Sequence, residues 1–171
     1  MPQSTLITRA QIEKRVAEMG RQISADFAGS ELIALCVLKG AVFFCSDLMR
    51  QISLDVALDF IQVSSYGNQK YSSGVVTILK EPQLDMRGKA VLIVEDIIDS
   101  GLSMREVFRY IESRGTSVVK TATFLDKPAS RKVDFKAEYV GFSIEPQFVI
   151  GYGLDYAERY RNIPEIQVLS D

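Results

Sequence analysis

Two apolar runs limit what this chain can fold into. Residues 32–38 read LIALCVL and residues 90–94 read AVLIV, with no polar break in either. A strand of that kind has no face to offer to water, so it belongs inside a sheet that is covered on both sides. The segments around these runs supply the covering helices. Ile12, Val16, Met19, Ile23 and Phe27 recur at spacings of three and four, which predicts an amphipathic helix over 8–28. Thr8 followed by Gln11 fits a capping box at its start, and Gly29 is a natural stop. Further helices are expected over 41–52 and 103–114, and further strands over 56–63, 75–79 and 118–125. Residues 64–74, SSYGNQKYSSG, are small, polar and rich in turn formers, and read as a mobile loop. Strands that alternate with helices predict an α/β fold with a mainly parallel sheet. The 171 residues show no repeat or linker and fit one domain, 1–171.

Composition removes several kinds of chemistry. The chain has no histidine, so no Ser-His-Asp or Cys-His relay can operate and the common zinc sites are nearly excluded. Proton transfer falls to carboxylates, lysine, tyrosine or water. Cys36 and Cys45 lie in apolar surroundings and read as buried, reduced thiols. A net charge of −2 gives no sign of a nucleic-acid surface. No apolar run approaches the length of a membrane span, and the start of the chain has no apolar signal core, so a soluble, cytoplasmic protein is expected.

The chemistry is concentrated in residues 91–104, VLIVEDIIDSGLSM. A buried strand is followed by Glu95, Asp96 and Asp99 at its carboxyl end, the end where open parallel sheets bind ligands. Ionised carboxylates are too costly to bury alone, so they are expected to face a cavity that receives a cation or hydroxyl groups. Asp99, Ser100, Gly101, Leu102 and Ser103 then lead into a helix. Gly101 lets the backbone approach an anion, the helix start offers unpaired N–H groups, and the two serines add hydroxyls. A ribose phosphate carries both counterparts: a diol for the carboxylates and a 5′-phosphate for the turn. An N-capped helix after a strand would account for one carboxylate and leave Glu95 and Asp96 unexplained.

The segment resembles the signature of type I phosphoribosyltransferases, and within them the hypoxanthine-guanine branch, which reads closely as VEDIIDTG. Ser100 stands where threonine is usual and keeps the hydroxyl. The resemblance runs from about residue 38 to 161. It implies an α/β fold with a mainly parallel central sheet flanked by helices, a small hood from the termini and about 130–171, and a flexible lid at about 64–78. It implies that Glu95 and Asp96 hold the ribose hydroxyls and support Mg²⁺, that residues 99–103 bind the 5′-phosphate, and that Asp99 is the acid or base at a purine nitrogen. Leu38-Lys39-Gly40 resembles the family's diphosphate loop, with a cis Leu-Lys peptide, and Arg161 would contact the same diphosphate. Ser65 and Tyr66 resemble the lid that excludes water from the reacting sugar. Lys127 would donate to the exocyclic oxygen of a 6-oxopurine and so reject adenine. Phe148 would stack on the purine, the Val149 backbone would read its edge, and Asp155 would contribute beside the base to a second Mg²⁺. The substrates implied are a 6-oxopurine and phosphoribosyl diphosphate, giving IMP or GMP, and family members are usually dimers or tetramers.

Three other readings compete. A receiver domain also has an acidic pair after an apolar strand and a later Lys-Pro. Its acidic pair follows the first strand, however, and the 30 residues from Asp96 to Lys127 leave no room for the intervening strands. A regulator of the same fold that binds nucleotide or RNA would not need both Asp99 and Lys127. An enzyme of this fold with a different acceptor base is the third.

Overall fold

The computed structural model describes residues 3–65 and 76–169. In chain order the elements are β1 (Gln3–Ile7), α1 (Arg9–Asp26), β2 (Leu32–Leu38), α2 (Val42–Gln51), β3 (Val56–Ser65), β4 (Val76–Lys80), β5 (Ala90–Ile98), α3 (Leu102–Glu112), β6 (Val118–Asp126), β7 (Tyr139–Ser143), β8 (Val149–Ile150) and β9 (Ile166–Leu169). Six strands form the main sheet in the order β4-β3-β2-β5-β6-β7, and β1-β9-β8 form a small antiparallel sheet. Within the main sheet only β4 runs antiparallel to its neighbour.

The two apolar runs are the adjacent central strands β2 and β5. Their alternate residues feed two separate cores, as the pleat requires. Leu32, Cys36, Leu92 and Val94 join α1 and α2 in one core. Ile33, Leu35, Val37, Val91 and Ile93 meet Met104, Val107 and Ile111 of α3 in the other. The result is a three-layer arrangement with helices on both faces. The capping box at Thr8 is formed, with both reciprocal bonds between Thr8 and Gln11 present. Cys36 and Cys45 are buried and free. Their mutual hydrogen bond, together with burial, pushes the Cys36 thiol far above its ordinary range. Among the described residues no helix is long and apolar enough to cross a membrane.

The structure redraws three boundaries. The strand expected over 90–94 continues through Glu95 and Asp96 to Ile98, because β6 keeps pairing with it as far as Ile98–Asp126. Residues 64–65 and 76–78, inside the expected lid span, pair as the stem of the β3–β4 hairpin; the remainder of that span lies outside the described residues. Residues 139–143, inside the expected hood span, form β7 at the edge of the main sheet, so the small sheet draws only on 3–7, 149–150 and 166–169.

Candidate active site

The strand order reverses between β2 and β5: the chain leaves β2 toward β3 on one side and β5 toward β6 on the other. Such a switch point opens a crevice at the carboxyl ends of the strands. Here the opening is visible in the register. β2 and β5 pair only as far as Cys36–Val94, while β2 stays with β3 to Leu38–Gln62 and β5 stays with β6 to Ile98–Asp126. The sheet therefore splits just where the acidic residues begin. A cavity of about 250 Å³ occupies the split. Val37, Leu38 and Gly40 form one lip, and Glu95, Asp96, Asp99, Ser100, Gly101 and Ser103 form the other.

The turn after β5 is built as an anion cradle. Gly101 takes φ +82, a left-handed conformation that side chains resist, and caps α3 without a side-chain bond. The first turn of α3 thus begins directly at the cavity, with its N–H groups and positive dipole end available. Ser100 Oγ accepts from the N–H of Leu102 at 3.3 Å. Opposite this turn, Glu95 Oε1 accepts from the backbone N–H of Asp96 at 2.9 Å, and Asp96 Oδ1 from that of Ile97 at 2.7 Å. Burial, then the neighbouring Asp96 charge, pushes Glu95 well above the usual carboxylate range. Burial also raises Asp96, although the Arg161 charge works against it.

The other lip follows β2. The Leu38–Lys39 peptide is cis. Gly40 is required by space: a Cβ there would overlap the Asp96 carboxylate, and a Cβ on Gly153 would overlap the Gly40 carbonyl. The backbone of the loop after β2 is therefore packed against the Asp96 carboxylate on one side and the backbone of the loop after β8 on the other. Lys39 and Arg161 both reach Glu158, at 3.1 and 3.4 Å. Arg161 also pairs with Asp155 at 3.2 Å and donates to the Gly153 carbonyl at 2.6 Å.

Lys127 follows β6, its side chain only 11% exposed, and its ammonium stands 3.5 Å from the Asp99 carboxylate. A cation donor next to a carboxylate acceptor matches one edge of a 6-oxopurine, where O6 accepts and an adjacent ring N–H donates. Phe148 precedes the buried Val149 of β8, is 51% exposed, and has Tyr156 edge-on at 5.8 Å. Its remaining surface is free to stack.

The model of the phosphoribosyl transferase domain family matches residues 3–157. The chain belongs to the phosphoribosyltransferase family. The hypoxanthine-guanine phosphoribosyltransferase of Bacillus subtilis is 46% identical to it over 98% of this chain and 93% of the relative. The protein of the same name from Aquifex aeolicus is 42% identical over 97% of this chain and 94% of the relative. Among solved structures, a hypoxanthine-guanine phosphoribosyltransferase of Bacillus anthracis superposes with a TM-score of 0.94 at 46% identity, covering 98% of each chain. The receiver-domain alternative has no support left.

In this phosphoribosyltransferase the structure gathers Gly40, Glu95, Asp96, Asp99, Ser100, Gly101 and Ser103 around one cavity, with Leu102 opening the helix beside it. Lys39, Asp155 and Arg161 form a second group joined by ion pairs. Lys127 is tied to Asp99, while Phe148 and Val149 lie on the small-sheet side. Ser65 ends β3, and Tyr66 falls outside the described residues. Sequence reasoning missed Arg131. Its half-buried guanidinium donates to the carbonyls of Ile98 at 3.3 Å, Asp99 at 2.8 Å and Phe135 at 2.9 Å, and pairs with Asp126. The Asp99 turn therefore rests on an arginine 32 positions later in the chain. Nothing local in KPASR marks that role.

Proposed function

We propose that the protein is a hypoxanthine-guanine phosphoribosyltransferase of purine salvage, which forms IMP or GMP and diphosphate from a 6-oxopurine and phosphoribosyl diphosphate. The observation that carries this reading is the Asp99–Lys127 pair, whose Asp99 lines the cavity beside the α3 cradle. It offers one purine edge its two partners beside a place for a ribose 5′-phosphate. The high identity to relatives of that name over nearly the whole chain supports it.

In the proposed reaction the bond from C1′ to the diphosphate oxygen breaks and the bond from C1′ to the purine nitrogen forms. Residues 99–103 hold the 5′-phosphate, and Glu95 and Asp96 accept from the ribose hydroxyls. Lys39, Gly40 and Arg161 hold the leaving diphosphate, whose growing charge is met by groups already in place. Asp99 takes the purine ring proton, Lys127 donates to O6, and Phe148 stacks on the base with the Val149 backbone at its edge. A lid carrying Ser65 and Tyr66, at about 64–78, and a hood built on the small sheet of 3–7, 149–150 and 166–169 complete the proposed single domain.

Among the described residues no three metal-binding side chains stand together as a cage. The site nevertheless fits Mg²⁺, which commonly uses one or two carboxylates and completes its shell with phosphate oxygens and water. Glu95, Asp96 and Asp155 are the candidate carboxylates, and the ion would neutralise charge on the diphosphate. We place the enzyme in the cytoplasm as a homodimer or homotetramer acting on small molecules.

The test is a turnover panel of phosphoribosyl diphosphate, Mg²⁺ and five nucleobases. Nucleotide is expected from hypoxanthine and guanine and not from adenine or pyrimidines; turnover with none of them would refute the reading. Asp99→Asn is expected to lower kcat by about 10²–10⁴, with phosphoribosyl diphosphate affinity within a few fold. Near-normal kcat would remove Asp99 from its role.

A further inference from the structure

The two cations assigned to the diphosphate share one carboxylate. Glu158 Oε2 lies 3.1 Å from Lys39 Nζ, and both Glu158 oxygens lie 3.4 Å from Arg161 Nη2. Lys39 comes from the loop after β2 and Arg161 from the loop before β9, so Glu158 bridges the two sides of the site. The bridge is built into the backbone. Tyr156 and Arg159 exchange two backbone hydrogen bonds of 3.1 Å, which leaves Ala157 and Glu158 at the tip of a two-residue turn with φ +52 and +64. Turns of this form favour glycine and asparagine, and neither is present here. Asp155 Oδ2 accepts from the Glu158 N–H at 2.8 Å and fixes the tip further. Two carboxylate oxygens held between an ammonium and a guanidinium offer these cations an anionic acceptor of the kind that phosphate oxygens would be.

We propose that Glu158 is an internal stand-in for the diphosphate: its carboxylate aligns Lys39 and Arg161 in the empty site and is displaced from them when diphosphate binds. This rests on the assignment of Lys39 and Arg161 to the diphosphate. The pair is suited to displacement. The Lys39 and Glu158 side chains are 59% and 65% exposed, and ion pairs that open to water are weak. Arg161 stays anchored by its bond to the Gly153 carbonyl and its pairing with Asp155, so it keeps its place when Glu158 leaves. The same carboxylate returns to the cations as the product diphosphate leaves, which keeps that product from being held too tightly.

The experiment is calorimetric titration of inorganic diphosphate, with Mg²⁺, into the wild-type protein and Glu158→Gln, with IMP as the comparison ligand. Glu158→Gln is expected to bind diphosphate about three- to tenfold more tightly, an advantage that shrinks at high salt. IMP affinity should stay unchanged. A merely structural role for Glu158 cannot produce tighter binding. Equal or weaker diphosphate affinity in the variant would overturn the proposal, and so would an equal change in IMP affinity. If the wild-type protein bound neither ligand, the assignment of the site would fail instead.

Discussion

Gly40 lies so close to the Asp96 carboxylate that a Cβ there would displace it. The contact sets the width of the crevice at the point where diphosphate and ribose hydroxyls are assigned. Gly40→Ala is expected to lower kcat/KM for phosphoribosyl diphosphate by at least about 100-fold, since displacements of an ångström cost that much. Steady-state kinetics would check it, and a loss below tenfold would show that the contact does not set the geometry. Lys127→Ala should act differently. It removes a buried donor, so hypoxanthine and guanine should lose about 10²-fold or more in kcat/KM while adenine does not; unchanged base selectivity would defeat that role. Gly40 and Lys127 were singled out in the sequence by their resemblance to family motifs, each just after an apolar strand. Glu158 was not legible, since a glutamate in a polar loop looks like any solvated charge. Its meaning comes from Lys39, 119 positions away.

At the scale of elements, the turn between β5 and α3 is held from outside. Arg131 binds the carbonyls of Ile98 and Asp99 and pairs with Asp126, and the Lys132 N–H reaches the Ser100 carbonyl at 2.9 Å. A Cβ on Gly101 would meet Arg131 Cδ at 2.9 Å, so the glycine makes room for the clamp as well as for its φ. Arg131→Met leaves Asp126 uncompensated and should cost about 3–5 kcal/mol in urea unfolding. Arg131→Lys keeps the charge and loses the fork, so IMP should bind several-fold more weakly with a smaller loss of stability. Unaltered IMP affinity in Arg131→Lys would mean the cradle holds itself. The helices and central strands were readable from periodicity to within a few residues. The end of β5 was not, because Glu95 and Asp96 look like the start of a loop until β6 is known to run beside them.

Across the whole molecule, tyrosine–carboxylate bonds tie the layers together. Tyr152, in the loop after β8, donates to Asp47 of α2 at 2.6 Å, and Tyr139 of β7 donates to Asp26 of α1 at 2.7 Å. Burial, and then these carboxylates, raise both phenols far above their ordinary value. A raised pKa means that the unfolded chain loses these protons first. The stabilisation is therefore complete below about pH 10 and is lost as pH climbs above it. The melting temperature should hold level across pH 7–9 on this account and fall steeply beyond 10. Tyr152→Phe should start about 1–2 kcal/mol less stable and show a shallower alkaline fall; an unchanged slope would exclude Tyr152 as a cause. The main sheet was foreseeable from alternating helices and strands. The small sheet was expected only through the family resemblance, as a hood from the termini and about 130–171; its pairing could not be read from the residues, because β8 has two residues and β1 finds β9 only across the full length of the chain.

The central claim is that the split between β2 and β5 receives one phosphorylated sugar, gripped from both lips. A crystal structure of the protein with IMP tests it most directly. The account predicts the 5′-phosphate against the N–H groups of 100–103, the ribose hydroxyls toward Glu95 and Asp96, and the base against Phe148 with O6 at Lys127. Density for IMP elsewhere, with that turn empty, would contradict it.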